Sequence, residues 1–270
     1  MSETKTKKSH KKLWIALTGI LLVLVILGML LFTALRGFGP GNFLYEQSLK
    51  KLPGNSATYD FDKIELLEDN PLEGKHLCIL GSSVVFGAAS LQNSIGEYFQ
   101  HRLGMELTKE AVSGTTLADK GGSSYVDRIQ TLDPDADFDL FICQLSTNDA
   151  TLGCPLGEIS KDGTFDTKTT TGAMEYIITY AQKTWGCPVY FFTGARYDDT
   201  DYAAMVDRLM ELKEKYDIGV LDLWHGDDFN NITDEQRELY MHDDIHPTKA
   251  GYRDWWGPEL EKQLLASYKA

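Results

Sequence analysis

From Lys75 onward, short apolar runs alternate with longer segments whose apolar residues recur at helical spacing. The runs His76 to Leu80, Leu140 to Leu145, Pro188 to Phe192 and Ile218 to Leu223 read as buried strands, with Glu106 to Val112 a weaker fifth. Between them, Ser94 to Leu103, Ser124 to Leu132, Thr171 to Trp185 and Tyr202 to Tyr216 read as helices, and Thr248 to Leu265 as a final helical stretch. This alternation predicts an α/β protein with a mostly parallel five-stranded sheet between two layers of helices. Ligands of such sheets bind outside the carboxyl ends of the strands, so the loops there are where chemistry is expected.

The N-terminal part differs in kind. Residues 1–12 form a basic segment with Lys5, Lys7, Lys8, Lys11 and Lys12 against Glu3, and 13–35 then contain no charged residue. At about 1.5 Å of helical rise per residue, such a run crosses a hydrocarbon core of roughly 30 Å. A cleaved secretory signal has an apolar region of only about 7–15 residues and ends in small residues. This run is longer and closes on Phe32-Thr33-Ala34-Leu35-Arg36, which favours an uncleaved signal anchor. The preceding lysines place the N-terminus in the cytoplasm and the rest of the chain outside the cell membrane. Gly37-Phe38-Gly39-Pro40-Gly41-Asn42 marks a turn or joint, and 36–74 read as a linker, a stalk or a collar before a catalytic domain at 75–270.

The chain has 26 Lys and Arg against 40 Asp and Glu, and removing the basic N-terminal segment makes the remainder more acidic still. That sign disfavours nucleic acid as a partner. Cys78, Cys143, Cys154 and Cys187 have no metal-ligand spacing. Cys78 and Cys143 sit in apolar runs as small hydrophobes, and an exported location leaves a Cys154–Cys187 disulfide open.

Five residues carry the chemistry. Ser83 lies where the first strand turns into a helix, between Gly81 and Gly87. Alone it would be an ordinary helix cap. The turn lacks the spacing of a phosphate loop or dinucleotide fingerprint, and Val85 replaces the second glycine of a lipase-type elbow. Asn148, ending the strand before it, has a side-chain amide able to donate to developing negative charge. Asp243 and His246 stand three apart before Pro247, a spacing that lets the carboxylate accept from Nδ1 and turns Nε2 outward. Gly114 follows the second strand, where a glycine permits close backbone approach to a ligand.

In order and spacing these segments resemble the SGNH (GDSL-like) hydrolase family, from about Lys75 to the C-terminus. The resemblance implies a flavodoxin-like fold, Ser83 as nucleophile, His246 as base and Asp243 rather than Asp244 as its orienter. It also implies an oxyanion hole made by the Ser83 N–H, the Gly114 N–H and the Asn148 amide, with no cofactor. Two positions depart from the family pattern: Ser82 stands where an aspartate is expected, and Ser146 where a glycine is expected. The acid- and histidine-rich stretch His225 to His246 has no HExxH, so no metal is expected.

The expected activity is hydrolysis of small acyl esters, such as acetyl groups on surface glycans. Acyl transfer to a sugar hydroxyl by the same residues is the alternative, and a non-catalytic glycan-binding module a third. The aromatics Tyr197, Tyr202, Trp224 and Phe229 either line a sugar site or pack beneath the loops.

Overall fold

A computed structural model describes the backbone of residues 3–35, 39 and 42–268. The joint expected at 37–42 therefore lies outside the described residues apart from Gly39 and Asn42. The chain divides into two units, 1–51 and 52–270. In the first, a helix covers Glu3–Leu35 and a shorter one Asn42–Leu49. The stretch Trp14–Thr33 has a mean hydropathy of 3.0 and is long and apolar enough to cross a membrane. Its large side chains, Leu21, Leu24 and Met29 among them, are exposed.

The second unit is built on five strands, β1 (His76–Gly81), β2 (Glu106–Ala111), β3 (Leu140–Gln144), β4 (Val189–Phe192) and β5 (Gly219–Leu221). Their order is β2-β1-β3-β4-β5, and every neighbouring pair is parallel. The α/β/α sandwich expected from the sequence is present. Chain order reverses between β1 and β3, which makes the crevice at their carboxyl ends the topological switch point.

Period-two alternation along the strands divides the core. Cys78, Leu80, Phe141, Cys143, Val189 and Phe191 face helices Tyr125–Ile129, Thr170–Thr184 and Thr200–Tyr216. Leu77, Ile79, Leu140, Ile142, Tyr190 and Phe192 face helix Ile95–Leu103 and the C-terminal helices. Both faces being buried is why β1, β3 and β4 read as continuous apolar runs. Edge strand β2 is only partly buried and carries Lys109, which pairs with Glu97, so its sequence signal is weaker.

The C-terminal stretch divides into Lys249–Gly251, a π-helical turn at Tyr252–Trp256 and a helix at Gly257–Ser267. Pro258 has no N–H to give to the ladder, and the Gly257 N–H reaches back to Tyr252 O. All four cysteines are free thiols, which corrects the open Cys154–Cys187 pairing. Cys154 follows β3 at its carboxyl end, whereas Cys187 precedes β4 at the opposite end of the sheet.

Candidate active site

The segment after β1 begins a short helix at Ser83, with Ser82 at its cap. As the first helical residue, Ser83 has an N–H that no intrahelical carbonyl can accept. Gln144, buried at the end of β3, braces this turn: its Oε1 accepts from Ser82 N at 2.9 Å and from Val85 N at 3.4 Å. A Cβ at Gly81 would lie 2.2 Å from a Val85 methyl and 2.8 Å from that same oxygen, so only glycine lets the brace close. Gly87 ends the turn at φ 78°, in the left-handed region.

Ser83 Oγ lies 2.8 Å from His246 Nε2. His246 Nδ1 lies 2.8 and 2.9 Å from the two Asp243 carboxylate oxygens. Asp243 also accepts from the Ile245 and His246 backbone N–H groups at 2.9 and 2.8 Å, which fixes its orientation within its own turn. Burial raises the Asp243 carboxyl, but the His246 hydrogen bond and charge and these two N–H groups outweigh it and bring it down to about 2. Asp244 makes no bond to His246 and lines a neighbouring cavity instead.

The three groups expected to hold an oxyanion lie in segments that follow the carboxyl ends of three adjacent strands. Gly114 has φ 79°, and a Cβ there would meet nothing within 4 Å, so its exposed backbone faces open space. The Asn148 amide donates to Thr115 O at 2.9 Å and to Ser82 Oγ at 3.2 Å. Ser82 thus supplies an acceptor where a family member's aspartate would stand. Ser146 caps helix Thr147–Thr151 by accepting from Asn148 N at 3.2 Å. Its hydroxyl substitutes for the expected glycine by serving the helix that carries Asn148.

Besides Gln144, sequence reasoning missed three buried supports. Arg128 donates to Gly81 O at 2.8 Å, to Thr115 Oγ1 at 3.0 Å and to Glu110 Oε1 at 3.1 Å, tying the ends of β1 and β2 to the Gly114 loop. Asp149 accepts from the N–H groups of Leu117 and Ala118 at 2.7 and 2.9 Å, holding the same loop from the β3 side. Burial pushes its carboxyl upward, and those N–H bonds offset this only in part. Tyr252 donates to Val84 O at 2.6 Å from the π-helical turn. Gln144 had a signal in the sequence, being a polar residue near the end of an otherwise apolar run. Arg128, on a helix face, had none.

Beside the site is a narrow cavity lined by Val84, Thr147, Phe192, Ala195, Ile245 and Trp256, among others. Its room for the centre of a water-sized sphere is about 10 Å³, roughly one water molecule. Gln144 Nε2, Tyr197 Oη and Trp256 Nε1, buried atoms without a partner among the described residues, all belong to lining residues. The aromatics expected either at a sugar site or under the loops mostly do the latter. Tyr197, Tyr202 and Trp224 pack together with centroids 5.1–5.6 Å apart, and Phe229 stacks on Trp255. His225 pairs with Asp222 at 2.8 Å, away from the Asp243–His246 turn. No group of three or more potential metal ligands occurs among the described residues.

A doubly wound α/β protein with a Ser–His–Asp chain at its switch point is the class these observations define. The model of the GDSL-like lipase/acylhydrolase family matches residues 79–253, and the chain belongs to that family. Its members are hydrolases acting on esters. Among solved structures, a protein from Lactobacillus plantarum is similar at 20% identity and TM-score 0.61, over 73% of this chain and 99% of that one. A GDSL-like lipase candidate from Bacteroides ovatus is similar at 16% identity and TM-score 0.53, over 72% of this chain and 100% of that one. A family two carbohydrate esterase from Clostridium thermocellum is similar at 14% identity and TM-score 0.54, over 73% of this chain and 65% of that one. No curated protein sequence matches.

Proposed function

We propose that this chain is a serine esterase of small acyl groups, anchored by Trp14–Thr33 with its C-terminal domain outside the cell membrane. The observation that carries the reading is the continuous chain from Ser83 Oγ through His246 to Asp243, with both links at 2.8 Å. His246 Nε2 takes the proton of Ser83 as Oγ bonds to the ester carbonyl carbon. The negative charge on the carbonyl oxygen is met by the N–H groups of Ser83 and Gly114 and by the Asn148 amide. As the C–O bond to the leaving alcohol breaks, His246 returns the proton to that alcohol. Water repeats the cycle on the acyl-serine and leaves a carboxylic acid, free Ser83 and no cofactor requirement.

Acetyl is the acyl group that the cavity size favours. Three of the residues lining it adjoin functional residues in the sequence: Val84 follows Ser83, Thr147 precedes Asn148, and Ile245 precedes His246. A glycan as the alcohol partner is supported by the fold likeness to a carbohydrate esterase. The acidic composition favours a neutral or cationic glycan over a polyanion.

Mass spectrometry of the purified protein after brief exposure to an activated acetyl ester tests the mechanism. One acetyl on Ser83 is expected in wild type and none in Ser83→Ala, whose turnover should fall by about four or more orders of magnitude. Retained activity in that folded variant overturns the serine assignment. Protease added to intact cells tests the topology: digestion of the C-terminal domain is expected, and protection overturns the outside placement.

A further inference from the structure

The segment immediately before the strands makes contacts that converge on the loop holding His246. That loop is closed at its base by a bridge between Met241 and Pro247 and by bonds from His242 N to His246 O at 2.9 Å and from Thr248 N to Tyr240 O at 2.8 Å. Against this base lie three short 3₁₀ turns, Pro53–Asn55, Ala57–Tyr59 and Phe61–Lys63. Gly54 fits so closely that a Cβ would stand 2.0 Å from Leu239 O and 2.3 Å from Thr248 Oγ1. Lys249 pairs with Asp60, and Arg253 donates to Thr58 O at 2.6 Å while covering the Tyr59 ring.

Asn55 is the residue of this segment that reaches both halves of the site. It is 4% exposed. Its Nδ2 donates to Ala89 O at 2.8 Å, in the loop following the Ser83 helix, and its Oδ1 accepts from Lys249 N at 2.9 Å, just beyond His246. One planar amide therefore sets the spacing between the nucleophile segment and the base segment. Truncating it would leave a buried carbonyl and a buried N–H without these partners.

We infer that Asn55 is a positioning residue for the Ser83–His246 pair, and that residues 52–60, which precede the matched family region, are a working part of the active site rather than a spacer. The inference rests on the serine-esterase reading. Its physical basis is that proton transfer needs a contact near 2.8 Å, and a misplacement of about 1 Å can cost on the order of 10²-fold in rate.

The test uses the full chain in detergent, with acetyl ester turnover and the rate of covalent labelling by a fluorophosphonate probe. Asn55→Ala should lower kcat by about 10–10²-fold and slow labelling by a similar factor, with KM within about two-fold of wild type, at temperatures well below its melting point. Should Asn55→Ala fail to fold, Asn55→Asp carries the measurement. It keeps the shape and the acceptor for Lys249 N–H but loses the donor to Ala89, and a lower kcat is again expected. A folded variant with a reduced melting temperature but wild-type kcat and labelling, or with a raised KM alone, overturns the positioning role. A wild-type protein that the probe does not label overturns the esterase reading and this inference with it.

Discussion

Asn148 gives one hydrogen of its side-chain amide to Thr115 O and directs the other to Ser82 Oγ, the residue before the nucleophile. The second bond, at 3.2 Å, is the longer and involves a hydroxyl that also lies 3.4 Å from Gln144 Oε1. A tetrahedral oxyanion is a stronger acceptor than this hydroxyl, so the amide can exchange one for the other as charge develops.

This relationship separates two variants. Asn148→Ala should lower kcat by about 10²–10³-fold with a smaller change in KM, because the donor acts mainly in the transition state. Ser82→Ala removes only the ground-state acceptor and should change kcat by less than about ten-fold. Steady-state kinetics on a short aryl ester measure both, and a loss of binding alone in Asn148→Ala would make it a substrate contact instead.

Arg128 should matter chiefly to stability. Its guanidinium is nearly buried and satisfies Gly81 O, Thr115 Oγ1 and Glu110 from one helix. Arg128→Met removes these donors and leaves Gly81 O only the longer 3.3 Å bond from Val112 N, and a loss of about 2–4 kcal/mol is expected. Urea denaturation of the two proteins checks this; an unchanged midpoint would show that water replaces the guanidinium without cost.

Acid should act on the triad through Asp243. The Asp243 carboxyl is lowered to about 2, against about 3.9 when unfolded. Its contribution to stability is therefore present above about pH 4 and lost as pH falls through about 2. Half of the side chain is exposed, so solvent screens the pair and the effect is small. Melting temperature recorded from pH 5 to pH 2 should fall less steeply in Asp243→Asn than in wild type.

Acyl-chain length should be read by the cavity beside Ser83. With room of only about 10 Å³ for the centre of a water-sized sphere, acetyl esters should be turned over faster than butyryl or longer ones. Ile245→Ala should widen the preference toward butyryl, gaining up to about 10-fold in relative kcat/KM, since each methylene accommodated is worth roughly 1 kcal/mol. Equal rates on acetyl and octanoyl esters in wild type would place the acyl group elsewhere.

The run at 13–35 was legible as a long apolar helix because it is uncharged and long enough to cross a membrane. The alternation after Lys75 was equally legible: strands buried on both faces show as apolar runs, and that sufficed for the architecture and for putting Ser83, Gly114 and Asn148 on one edge of it. Asp243 and His246 were readable because their contact is local, closing within a single turn. Tertiary structure decided what depends on distant segments meeting. Ser83 and His246 are 163 positions apart, and Asn55 and Lys249 are 194 apart. Arg128 looked like any helical arginine, and the segment from Leu52 to Lys63 was left open between a linker, a stalk and a collar on the domain, because no periodicity records which carbonyl a buried side chain will reach. Such partners are chosen by the packing of the whole sheet and its helices, where every buried donor must find an acceptor from whichever segment the fold brings near.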